Sequence, residues 1–175
     1  MNYSSIKNCD IANGEGVRVS LFVSGCRNCC KECFNKETWD FCYGEPFTQE
    51  VEEQILNLLK PSYIKGLTIL GGEPFEPENQ EQLIKLCEKV KREYPTKDIW
   101  CFTGFTLDNE ILGESRASGI NARTLLSYID ILVDGRFVNE LKNISLKFRG
   151  SSNQRIIDVK KTLKEGKIIL SPLNN

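Results

Sequence analysis

At 175 residues, 40% of them hydrophobic and 13 of them glycine, the chain has the size of one globular domain with a real core, here residues 1–175. Its 23 lysines and arginines against 24 aspartates and glutamates leave a formal charge of -1, which excludes a strong electrostatic grip on nucleic acid. No apolar run approaches the roughly 18 residues a membrane span needs, and the lack of histidine excludes Ser-His and Cys-His nucleophile pairs and every zinc site built with that residue.

The first stretch, "MNYSSIKNCDIANGEG", lacks the charged-then-apolar layout of an export signal, so a cytoplasmic setting is expected. Val17 to Gly25, "VRVSLFVSG", is β-branched and apolar, with Val17, Val19, Leu21 and Val23 on one face; it predicts a buried strand that runs into a cysteine-rich loop. "FTQEVEEQILNLLK" predicts a helix: Val51, Ile55, Leu58 and Leu59 share a face, Thr48 stands at the N-cap, acids fill the first turn and Pro61 stops it. "GLTILGGEP" is a short apolar strand ending in glycines. "PENQEQLIKLCEKVKREYP" is a helix with Leu83, Cys87, Val90 and Tyr94 on one face. "DIWCFTGF" is a third strand and "IDILVDGRF" a fourth, with short helices over Leu107 to Leu112 and Ala122 to Tyr128 between them. In the tail, "RIIDV" and "KIIL" read as strands separated by a turn at "KEG".

Strand and helix alternate, which predicts an α/β fold with a mainly parallel sheet. A complete eightfold barrel needs about 250 residues, so an incomplete, open (βα) barrel of five or six strands is expected. In such folds chemistry sits where strands end and loops begin. Gly25–Cys33, Gly71–Pro74, Thr103–Gly104 and Asp134–Arg136 all fall there.

Half of the eight cysteines lie in "GCRNCCKECFN": Cys26, Cys29, Cys30 and Cys33. A small secreted chain with an even count would suggest disulfides; a longer chain with this clustering suggests a metal or redox site in a reducing compartment. One parse is two C-x2-C units in direct succession. Zinc ribbons separate such units by roughly 15–20 residues, and adjacent side chains diverge, so one tetrahedral ion is poorly served by all four. Zinc could instead take three of them with Cys9 or Cys42. The other parse is C-x3-C-x2-C, with Cys26, Cys30 and Cys33 on an iron–sulfur cluster and Cys29 a bystander. Three thiolates leave the fourth iron of a cubane open, whereas a cluster used only for electron transfer normally has four cysteines. Cys9, Cys42, Cys87 and Cys101 read as small buried hydrophobes rather than ligands, with Cys87 on an apolar helix face and Cys101 inside a strand both expected in the core.

One βα unit downstream, Gly71 and Gly72 would let backbone approach a ligand, Glu73 offers a carboxylate to a cation such as an ammonium, and Pro74 stiffens the exit. Alone, a Gly-Gly turn after a strand signifies only a turn. Following a three-cysteine loop, it resembles the radical S-adenosylmethionine superfamily. The finer matches, "NGEGVRVSLFVSGC", "CFNKETWDF", "GEPFT", "KDIWCFTGF", "ILVDGRFV" and "RGSSNQR", running from Asn2 to Arg155, are similar to the activating proteins of class III, oxygen-independent ribonucleoside-triphosphate reductases.

The resemblance implies a [4Fe–4S] cluster on Cys26, Cys30 and Cys33, with the amine and carboxylate of S-adenosylmethionine on the open iron and the Gly71–Gly72–Glu73 strand end holding the amine. It implies that Phe34 or the backbone at Glu32 faces the adenine. In the broad superfamily an aromatic often precedes the last cysteine; here Glu32 does and Phe34 follows. Thr103 and Gly104 line the ribose and methionine or simply end a strand. Asp134 and Arg136 contact cofactor or peptide, or form an Asp-Gly turn. Arg149 to Arg155 form a solvated loop or part of the site. The implied reaction is reductive cleavage of S-adenosylmethionine and formation of a glycyl radical on the anaerobic reductase, with a low-potential donor such as flavodoxin. Activases of other glycyl-radical enzymes are the nearest alternative, but those often carry extra cluster domains, for which this chain has no room. A zinc-knuckle module or a ferredoxin-like carrier leaves the Gly-Gly-Glu strand end unexplained.

Overall fold

The computed structural model describes residues 1–174. Seven strands form one sheet in the order β3-β1-β2-β4-β5-β6-β7: β1 (Asn2–Asp10), β2 (Val17–Val23), β3 (Glu45–Pro46), β4 (Ile64–Gly71), β5 (Asp98–Phe102), β6 (Ile131–Asp134) and β7 (Arg155–Asp158). The four strands expected from their apolar runs, β2, β4, β5 and β6, pair in parallel at the centre. The remaining strands are antiparallel edges. The sheet is therefore mixed and has seven strands, where five or six mainly parallel ones are expected.

The edges depart from the sequence reading for a physical reason. β1 carries one aliphatic residue, Ile6, in "NYSSIKNCD" and is half exposed throughout. Without period-2 alternation, its strand state comes from backbone pairing with β2, broken by two register shifts. At the other end "RIID" is a strand, but a helix follows it before the chain turns at Gly166. Asp158 caps α4 (Val159–Glu165) by accepting from the Lys161 amide, and Gly166 closes that helix in a left-handed conformation. "KIIL" contributes only an isolated bridge between Leu170 and Ile157.

Helices α1 (Gln49–Leu59), α2 (Pro77–Glu93), α3 (Ile120–Tyr128) and α4 bury their apolar faces in one core. Leu107–Ile111 is a single π-turn. Val19, Leu21 and Val23 of β2 join Leu67, Ile69, Ile99, Cys101, Leu132 and Ile157 in that core. Cys87 and Cys101 are fully buried in it, as their positions predict.

The alternating residues face the other way. Trp100, Val133 and Ile156 form a second cluster with Phe102, Phe148 and Leu173. Trp100 meets Phe148 edge-to-face at 5.4 Å, and the Arg18 guanidinium lies over the same indole at 5.3 Å. Arg18, fully buried, donates to Thr68 Oγ1 at 2.7 Å, to the Leu67 carbonyl at 2.9 Å and to Asp98 Oδ1 at 2.5 Å. Burial lowers its pKa, and Asp98 opposes that shift. This group ties β2, β4 and β5 together and forms a floor beneath the C-terminal half of the sheet's inner face. Among the described residues no helix is long and apolar enough to cross a membrane.

Candidate functional site

β2, β4, β5 and β6 all point their C-terminal ends to one edge, and there the chain encloses a cavity of about 520 Å³. Its wall includes Cys26, Cys30, Cys33, Glu32 and Phe34 from the loop after β2, and Gly71, Gly72 and Glu73 from the end of β4. Thr103 and Gly104 after β5 and Gly135 after β6 complete the mouth, with Phe137 and the 142–150 loop opposite. The size lies within the range of small-ligand pockets.

The cysteine loop is fixed at its root. The Gly25 amide donates to the Thr38 carbonyl at 2.8 Å, and Cys26 N–H to Trp39 O at 3.2 Å. The Gly72 and Glu73 amides donate to Val23 O and Gly25 O at 2.7 and 2.9 Å. Buried Asn79 of α2 donates to both the Ser24 and Glu73 carbonyls, at 3.0 Å each. A Cβ on Gly72 would stand 2.7 Å from Gly25 O, and one on Gly71, at φ +114°, 2.6 Å from the Val23 backbone. These glycines thus serve the approach of strand end to loop, and both also line the cavity where the sequence suggested approach of a ligand.

Within the loop, Cys29 and Glu32 take left-handed backbone conformations, at φ 46° and 58°. Cys26, Cys30 and Cys33 line the cavity, while Cys29 is exposed and outside the wall. Burial pushes the Cys26 thiol up to about 12, opposed by a hydrogen bond from the Asn28 backbone; burial also raises Cys30, opposed by Arg136. A thiol raised by burial is a weaker free nucleophile, so neither Cys26 nor Cys30 reads as an activated redox thiol. Cys9 and Cys42, expected to be buried, are exposed instead, on the edge strand β1 and in the loop before β3, and lie outside the wall. A cubane spreads its thiolates over separate irons, and three cysteines on one cavity wall suit that donor set.

Glu73 is fully buried. Its Oε1 accepts from the Phe75 amide at 2.9 Å and the Thr103 hydroxyl at 2.7 Å. Its Oε2 accepts from the Gly104 amide at 2.7 Å and Asn28 Nδ2 at 2.9 Å. Burial pushes its pKa up to about 7 despite these donors. Thr103 and Gly104 therefore act on Glu73 as well as on the cavity.

Asp134, expected beside the cofactor, is fully buried and is not in the wall. It accepts from Arg155 Nε at 2.9 Å and Nη2 at 2.5 Å and from the Leu107 amide at 2.8 Å, holding β6, β7 and the π-turn together. Arg136 pairs with Glu110 at 3.4 Å. In "RGSSNQR", Arg149 clamps the carbonyl and side chain of Asn174, and Gln154 accepts from the Gly150 amide at 2.9 Å; both residues also border the cavity.

Sequence reasoning missed a charged network behind the loop. Glu76, fully buried, accepts from the Arg27 amide at 2.8 Å, Arg27 Nη1 at 2.7 Å and Arg116 Nε at 3.2 Å. Arg116 Nη2 donates in turn to Asn28 Oδ1 at 2.7 Å.

A family model described as "4Fe-4S single cluster domain" matches residues 12–157. The chain is 46% identical over 158 residues to an anaerobic ribonucleoside-triphosphate reductase-activating protein of Pasteurella multocida, covering 89% of this chain and 96% of the relative. The protein of the same name from Haemophilus influenzae is 47% identical, with 89% and 97% covered. That of Escherichia coli K12 is 44% identical, with 88% and 96% covered.

Proposed function

The chain belongs to the family of anaerobic ribonucleoside-triphosphate reductase-activating proteins and carries its 4Fe-4S single cluster domain; from that premise we propose that it is a radical S-adenosylmethionine enzyme that installs a glycyl radical on the reductase. Cys26, Cys30 and Cys33 would hold a [4Fe–4S] cluster, and the seven-stranded sheet would be the incomplete barrel of that superfamily. The observation that carries the reading is one cavity, at the C-terminal ends of the parallel strands, walled by these three cysteines and the Glu73 strand end.

Bound there, the cluster would supply an electron to the sulfonium of S-adenosylmethionine, whose C–S bond breaks to methionine and a 5′-deoxyadenosyl radical able to take a hydrogen atom from a glycine of the reductase. This chain's residues do the rest. Glu73 would seat the ammonium. Thr103 and Gly104 hold that carboxylate in place and would flank the methionyl chain. Phe34, 94% exposed at the rim, and Glu32 would border the adenine. Phe102 and Phe148 give the cavity an apolar side, with Trp100 packed against Phe148 behind it. The electron would come from a low-potential donor of the flavodoxin class, in the cytoplasm.

Anaerobic reconstitution with iron and sulfide tests the reading. Four irons and four sulfides per chain, and reductant-dependent release of methionine and 5′-deoxyadenosine, are expected. Zinc in place of iron, or a cluster indifferent to S-adenosylmethionine, would overturn it.

A further inference from the structure

All four acceptor positions of Glu73 are taken. A ligand cation can reach this carboxylate only by displacing a donor. Two donors are backbone amides, of Phe75 and Gly104, fixed by the chain. The third, the Thr103 hydroxyl, is buried and also accepts from the Phe105 amide at 3.1 Å. The fourth is the Asn28 side chain, on the cysteine loop and at the cavity wall, which can leave by rotation about its own side-chain bonds. Its NH2 group approaches Glu73 Oε2 as a ligand's ammonium would. A Cβ on Gly104 would stand 2.5 Å from that nitrogen, so the amide packs closely against the Gly104 backbone. The other end of the same amide accepts from Arg116.

We propose that Asn28 is the placeholder of the cation seat: its amide satisfies Glu73 while the seat is empty, and an incoming ammonium replaces it, turning Asn28 away from both Glu73 and Arg116. Asn28 is thus a positioning residue that sets the affinity of the seat without contacting the reacting bond. This rests on the reading of Glu73 as the ammonium seat. A seat already occupied by a protein group lowers apparent affinity by the fraction of time it stands free. Removing the amide should therefore tighten binding by about tenfold or more, the worth of one charge-assisted hydrogen bond.

The test is equilibrium binding to the reconstituted, unreduced protein under argon, using S-adenosylmethionine and its analogue lacking the amino group. Asn28→Ala should bind S-adenosylmethionine more tightly than wild type and leave the affinity for the desamino analogue unchanged. Asn28→Ser, too short to reach Glu73 but polar within the loop, should show the same selective gain and serves if the alanine variant loses its cluster. No gain, a loss, or an equal gain for both ligands would overturn the placeholder. If wild type binds the two ligands equally, the ammonium seat itself is absent and the reading of Glu73 falls with it. If wild type prefers the amine while neither variant gains, only the role of Asn28 falls.

Discussion

At the scale of single residues, Cys29 and Cys30 are neighbours with opposite fates. Cys29 sits at positive φ outside the cavity wall, and Cys30 faces in. Alanine at Cys26, Cys30 or Cys33 should abolish the iron–sulfur absorbance and reductive cleavage, whereas Cys29→Ala should keep both; the converse result at Cys29 and Cys30 would reverse the assignment. Glu73 gives a second test. Its pKa is raised to about 7 by burial, so it is largely protonated below that value and carboxylate above it. Affinity for S-adenosylmethionine should therefore rise from pH 6 through pH 7 as the carboxylate forms. Glu73→Gln should lose tenfold or more at pH 8 and lack the part of the rise centred near pH 7, with iron content unchanged. Titration calorimetry at several pH values reads both. The cysteines and Glu73 were legible because their signals are local, a spacing of three or four and a glycine-marked strand end. Asn28 and Glu76 were not, since their partners lie 88 and 49 residues away in sequence and only the fold joins them.

At the scale of elements, the central strands were legible because both faces are buried and the apolar runs are dense. β1 was hidden because an edge strand with one half-exposed aliphatic residue has no pattern of its own. α4 was hidden because seven residues give too short a window for helical periodicity. Arg18 belongs to this scale, for its side chain braces three strands. Replacing it with methionine keeps the volume and the contact with Trp100 but strands Asp98 and Thr68 without their donor. The cost should be roughly 2–3 kcal/mol of unfolding free energy by urea titration of the apoprotein. The fully buried guanidinium faces a carboxylate only partly shielded from water, which keeps the expected loss below that of a fully buried pair. Iron uptake by the folded fraction should be unaffected, since Arg18 lies beneath the cavity and outside its wall.

For the molecule as a whole, a cavity at the strand ends with Phe34 exposed at its rim and Ile144 exposed in the facing loop, at 94% and 92%, suits a macromolecular substrate better than a buried small one. Mixed under anaerobic conditions with the cognate reductase, S-adenosylmethionine and reductant, the protein should produce a carbon-centred doublet in electron paramagnetic resonance, split by the α-hydrogen left on glycine. Alanine at the partner's glycine should erase the doublet while S-adenosylmethionine cleavage continues. A doublet formed without this protein would falsify the assignment of substrate. The exposed rim bears on turnover as well. On the function proposed above, the small cosubstrate and the polypeptide would both come to the edge where Phe34 stands exposed, and would use it in turn. The cosubstrate would enter first, the reductase would then cover the entrance, and the spent nucleoside and methionine would leave after it departs. Turnover would then run as an ordered sequence, and a reductase that releases slowly would act as a stopper on its own activator.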